Sequence, residues 1–281
     1  MATKKATSTK KKAPVAKKKT TTASKTTVKT VPAVATKQPL GQRIETSLQS
    51  ARLWRALAAE FIGVFLLVAV VIVSQGSAIA VMFALVGIVL LVGALSGAHL
   101  NPAVTVGAWV TRRVGWLRAV SYIFVQFLGA AVAFFALSAF LGGQAEVSSA
   151  QAAFGQSSQE LFKAASLSTL AGKEWYVFFA ELLGVAVLSF AVANAMRLRN
   201  ELNQLSSAFS VGLGIFIALM LAGTAAGYIG AHAIINPAVA LGLQAFSPEA
   251  WPYVVYVLGP VIGGAFGFAL YDLLYGRAAR K

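Results

Sequence analysis

The sequence predicts an all-α membrane protein of six transmembrane helices and two re-entrant half-helices, arranged as an inverted repeat. Three observations predict it. Of 281 residues, 58% are hydrophobic and 12% charged, with a mean hydropathy of +0.73, a composition suited to a bilayer rather than to water. Six apolar stretches are each long enough to cross a hydrocarbon core about 30 Å thick. The tetrapeptide Asn-Pro-Ala-Val interrupts the apolar sequence twice, at 101–104 and again at 236–239.

Residues 1–50 are expected to form a disordered, Lys-rich cytoplasmic tail. This Lys/Thr/Ala/Pro sequence has no periodic apolar face and buries too little surface to offset its ordering entropy. It also lacks the apolar core of a secretory signal and is not read as one. Residues 1–45 hold twelve of the 24 Lys and Arg and one of the nine acidic residues, so 11 of the +15 net charge sits there and +4 remains elsewhere. The tail is read as a solvated extension that helps set topology, or as a polybasic segment held to anionic lipid headgroups. No aromatic residue is interleaved among its lysines, so specific nucleic-acid binding is not expected.

Residues 51–281 form the second domain. Its spans are expected at 53–74, 76–97 and 118–141 in a first repeat (51–141), and at 175–196, 206–228 and 251–275 in a second (175–276). Two apolar pieces, 101–111 and 236–246, are too short to cross and read as half-helices. With six spans, Arg52, Arg55, Arg112, Arg113, Arg118, Arg197, Arg199, Arg277, Arg280 and Lys281 share one side with the basic tail. The 142–174 connection instead balances Lys163 and Lys173 against Glu146, Glu160 and Glu174. This places both termini in the cytoplasm, and the short loops are read as those of a plasma (inner) membrane protein.

The inverted arrangement follows from internal repetition. "AEFIGVF" (59–65) opens the first span and "AELLGVA" (180–186) the fourth, and each is followed by "GAH…NPAV". Three spans per copy is an odd number, so the second copy enters the membrane from the opposite side. A proline at the first helical position sacrifices only an amide that would lack a partner anyway. The preceding asparagine can cap the same helix. Pro102 and Pro237 therefore begin helices inside the membrane, which meet N-terminus to N-terminus and add positive potential near the midplane. Irregular backbone is tolerated at that depth where it lines an aqueous cavity.

These motifs, with Gln126 in "VQFLGA" and Pro260 in "GPVIGGAFG", resemble the major intrinsic protein family, the aquaporins and glyceroporins, over residues 51–276. The resemblance implies a homotetramer with one pore per subunit. It implies that Asn101, Pro102, Ala103, Asn236, Pro237 and Ala238 form the pore constriction, whose asparagines donate to passing solute, and that Glu60 and Glu181 brace the loops, with His99 and Gln126 beside them. One departure stands out: most of the family carries Arg after the second Asn-Pro-Ala, and this chain has Val239. The other filter positions matched by spacing are Val81, Ala233 and Leu219. All are apolar, so the expected outer filter is wide and undemanding. His232, in the longer loop before Asn236, is a candidate gate or an ordinary loop residue.

The function expected is passive conduction of water or small neutral solutes such as polyols and urea. A secondary transporter, or a membrane scaffold displaying the tail over an occluded pore, are the alternatives. An enzyme is not expected: cysteine is absent, and the sequence shows neither a metal-ligand cluster, a Ser-His-Asp order nor a phosphate loop. No cofactor is expected.

Overall fold

A computed structural model describes residues 39–142, 161–170, 172–198 and 203–276. The expected disorder of residues 1–38 and the charges at Glu146, Glu160, Arg199, Arg277, Arg280 and Lys281 lie outside the described residues.

The described end of the tail departs from expectation. Leu40–Leu48 is a helix, α1. Leu40, Ile44 and Leu48 recur every four residues, which gives one apolar face from only three side chains. Leu40 and Ile44 line a groove shared with Leu53, Trp116 and Leu117, and Trp54 Nε1 donates to the Leu48 carbonyl at 2.7 Å.

Among the described residues, six helices are long and apolar enough to cross a membrane: α2 (Ala51–Val73), α3 (Ala78–Ser96), α5 (Trp116–Gly142), α6 (Glu174–Leu198), α7 (Gln204–Gly227) and α9 (Trp251–Tyr275). Between them sit two short helices, α4 (Pro102–Val110) and α8 (Pro237–Gly242). The span boundaries match the sequence reading to within two residues. α8 is shorter than expected, ending at Gly242 rather than 246. Gln244 turns left-handed (φ 57°), and the Ala245 amide closes back on the Ala240 carbonyl at 2.9 Å. α4 ends the same way: Arg112 is left-handed (φ 62°) and Arg113 N reaches the Ala108 carbonyl at 2.7 Å. The two half-helices thus end on the same kind of stop, three residues earlier in the second repeat than in the first. α9 contains a π-helical turn at Val254–Leu258, just ahead of Gly259-Pro260. Pro260 has no amide to give and its ring crowds the carbonyl four residues back, and a widened turn relieves both.

The repeats interlock. α4 packs on α9 of the second repeat, and α8 packs on α2 of the first. A Cβ on Gly107 would fall 2.6 Å from the Gly264 carbonyl oxygen, and one on Gly242 would fall 2.5 Å from the Val68 side chain. Glycine at 107 is thus what lets the half-helix and the span touch backbone to backbone. Behind α4, Arg113 makes a two-pronged salt bridge to Asp272 of α9, at 2.6 and 3.2 Å, and lies 4.9 Å from the Phe268 ring. Large apolar side chains such as Trp54, Phe83, Leu91, Phe124 and Leu273 point outward, as a lipid-facing surface requires. Only 22% of the α5 span is buried, against 44–61% of the other five, so α5 presents the widest outward face.

Candidate functional site

The site begins in the two irregular segments that lead into the Asn-Pro dipeptides. Ala98 (φ 50°), Leu100 (φ 53°) and Ile235 (φ 51°) all hold left-handed backbone, a conformation that costs a residue bearing a Cβ roughly 1–2 kcal/mol. Something must hold it. Glu60, fully buried on α2, accepts from the amides of His99 (2.9 Å) and Leu100 (2.7 Å), and from Gln126 Nε2 on α5 (2.8 Å). Glu181, equally buried on α6, accepts from the amides of Ile234 and Ile235, the latter at 2.8 Å. Each repeat thus turns a carboxyl group from its first span onto two consecutive amides of its own loop.

The asparagines come next. Asn101 is extended (φ −158°) and its Oδ1 accepts from Ala103 N at 2.9 Å and Val104 N at 3.5 Å. Asn236 (φ −156°) does the same for Ala238 N at 3.0 Å and Val239 N at 3.4 Å. With Pro102 and Pro237 at the first helical positions, the orphan amides of both half-helices are largely accounted for. The two Nδ2 groups then cross over. Asn101 donates to the Ile235 carbonyl and Asn236 to the Leu100 carbonyl, both at 2.9 Å. Each amide nitrogen has two hydrogens, so one remains for another acceptor. His99 and Gln126 lie behind the first loop: His99 Nδ1 meets Thr105 Oγ1 at 3.2 Å, its ring sits edge-on to Tyr122, and Gln126 Nε2 donates to Thr105 Oγ1 at 3.0 Å.

Two cavities lie at opposite ends of the α3–α7 pair. The first, about 240 Å³, is lined by Val81, Leu219, Ala233 and Val239 together with Asn236 and His232. The second, about 320 Å³, is lined by Val89, Gly93 and Gly97 on one side and Ala195, Gln204 and Ser207 on the other. The four positions picked by spacing are therefore brought together, with one asparagine and the loop histidine, in a cavity with no Lys, Arg, Asp or Glu among its described lining residues. Polar groups are few, so a solute there gives up water for little return in hydrogen bonds.

Sequence reasoning missed Phe162, which also lines this cavity. It belongs to a connection with no periodic pattern, and no local signal marks it. Its ring lies 5.1 Å from the His232 ring. His232 Nδ1 accepts from Ala165 N at 3.1 Å, and the Tyr256 hydroxyl donates to the His232 carbonyl at 3.4 Å. Burial lowers the His232 pKa from its ordinary value. The bidentate pairing of Arg113 with Asp272, 159 residues away, is likewise a matter of tertiary packing.

Comparison with known proteins gives three results. The family model described as Major intrinsic protein matches residues 47–271. Aquaporin NIP3-1 of Zea mays is 30% identical over 251 residues, covering 81% of this chain and 72% of that protein. Aquaporin NIP1-1 of the same plant is 30% identical over 183 residues, covering 65% of this chain and 57% of the relative, so the match spans less than two thirds of its length. Among solved structures, the aquaglyceroporin from Plasmodium falciparum superimposes with a TM-score of 0.56 at 20% identity, covering 78% of this chain and 96% of that one.

Proposed function

This chain belongs to the major intrinsic protein family, and from that premise we propose that it is a passive channel with a wide apolar outer filter, conducting water and small neutral solutes such as polyols and urea. The observation that carries this reading is the convergence of Val81, Leu219, Ala233 and Val239 on one cavity beside Asn236. With no Lys, Arg, Asp or Glu among its described lining residues, size and shape limit passage more than hydrogen bonding does. The crossed asparagines hold the half-helix N-termini together, and the second hydrogen of each amide serves as donor to a passing solute. Glu60 and Glu181 brace the loops that present those donors. The general account of proton exclusion in aquaporin-type pores invokes an Arg or the positive ends of half-helix dipoles. With Val at 239, only the second of these applies at this position.

We infer assembly as a homotetramer from membership of the family. We place both termini in the cytoplasm on the bias of Lys and Arg to one side, and read the short loops as those of a plasma (inner) membrane protein. The Lys-rich tail serves as a solvated extension or a contact to anionic lipid headgroups.

Stopped-flow light scattering on proteoliposomes tests the channel: shrinkage in an impermeant osmolyte reports water, and re-swelling reports glycerol or urea. Val239→Arg is expected to cut glycerol and urea flux roughly tenfold, a barrier increase of about 1.4 kcal/mol, while water flux falls less. Flux of the unchanged protein no faster than that of empty liposomes would refute the reading.

A further inference from the structure

The outer cavity has a wall that belongs to no membrane span. Residues 161–166 run without regular structure, and Phe162 among them lines the cavity. A Cβ at Gly76 would lie 3.2 Å from the Phe162 ring, so the ring also closes on the α2–α3 turn opposite. Two hydrogen bonds hold this strap. Ala164 N donates to the Leu243 carbonyl at 2.9 Å, just beyond α8, and Ala165 N donates to His232 Nδ1 at 3.1 Å. The His232 ring stacks at a tilt on Phe162 as well. One side chain therefore touches both the strap backbone and the ring that the strap carries.

We propose that Phe162 is a specificity-determining wall of the outer cavity, that His232 positions it through the Ala165 amide, and that protonation of His232 releases it. This rests on the channel reading. The chemistry is direct. Nδ1 accepts from Ala165 only in the neutral tautomer protonated at Nε2, and in the imidazolium both ring nitrogens are donors. Protonation then sets N–H against N–H and repels the strap at the atom that held it. The surrounding groups do not offset this change. Tyr256 is engaged with the His232 carbonyl, Glu181 is taken up by the amides of Ile234 and Ile235, and Lys163 and Tyr228 are exposed. The described lining of the cavity contributed by α2, α3, α7 and α8 adds no titratable side chain. Burial favours the neutral ring, so release belongs below the ordinary imidazole range and the strap is in place at neutral pH.

The test is solute flux into proteoliposomes of the full-length protein between pH 4.5 and 7.5, with glycerol and urea as probes. The unchanged protein is expected to conduct glycerol at least about threefold faster at the acid end, with water changing less. Phe162→Ala is expected to be fast at every pH. His232→Gln, whose side-chain oxygen can still accept from Ala165, is expected to stay slow and lose the acid rise, and His232→Ala to be fast and flat. A second readout does not depend on conduction. The chain has no cysteine, so Lys163→Cys offers a single site for a spin label. Label mobility is expected to increase at acid pH, and to stay constant when His232→Gln is added. An acid rise that survives in His232→Gln overturns the proposal, as does a pH-flat flux in the unchanged protein together with a pH-flat label. Absence of flux from every variant, Phe162→Ala included, would instead overturn the channel reading and this inference with it.

Discussion

Replacing Glu60 by Gln changes one heavy atom and almost no volume, yet it should loosen the first loop. Three donors converge on this fully buried carboxyl group: His99 N on Oε1, and Leu100 N with Gln126 Nε2 on Oε2. A glutamine keeps one oxygen, which can continue to serve the pair that already shares Oε2. Its NH2 then stands where Oε1 was, opposite the His99 amide, donor facing donor. A buried donor without an acceptor costs about 1–3 kcal/mol, and two donors are affected, so roughly 2–6 kcal/mol of local stability is lost. The left-handed backbone at Ala98 and Leu100 is then held by fewer bonds. Glu60→Ala removes both acceptor oxygens and strands all three donors, at about 3–9 kcal/mol, and is expected not to accumulate as folded protein. The assay is thermal unfolding in detergent, followed by circular dichroism, beside water flux in proteoliposomes. Glu60→Gln should unfold at a clearly lower temperature and conduct less per folded protein. A Gln variant within about 0.5 kcal/mol of the unchanged protein would falsify the claim that these three bonds hold the loop.

The remaining predictions concern packing and charge. Gly107→Ala should cost about 1–3 kcal/mol, because its Cβ lands 2.6 Å from the Gly264 carbonyl oxygen and both partners are backbone. Gly87→Ala, which meets nothing within 4 Å, should be neutral or gain up to about 1 kcal/mol by helix propensity, and a comparison of unfolding midpoints checks the pair. Asp272→Asn should remove about 1–3 kcal/mol by leaving Arg113, mostly buried, without its carboxylate. A double-mutant cycle with Arg113→Gln measures the coupling, and additive effects would mean that the bridge contributes little.

Much of the fold was legible because its determinants are local. Each span is a run of apolar residues as long as the bilayer is thick, and the hydrocarbon core leaves a single chain of that kind few options but a helix. The half-helices were legible for the same reason: Asn101-Pro102 and Asn236-Pro237 carry both the cap and the first-turn proline within two residues. The helix at Leu40–Leu48 was not, since Leu40 and Ile44 gain a setting only when Leu53, Trp116 and Leu117 form a groove beside them. The early end of α8 depends on a left-handed residue at Gln244, a conformation that this residue type does not announce.

What the sequence by itself determined was therefore the class, the repeat, the span count and the residues in the two boxes, all set by period, length and spacing along the chain. What only the tertiary structure decided was which groups meet. The crossed amides join residues 134 and 136 positions apart, Arg113 finds Asp272, and Phe162 comes to rest on His232. Hydrogen bonds and ring contacts act over a few ångströms in space, whatever the distance along the chain, so partners on different elements are chosen by packing.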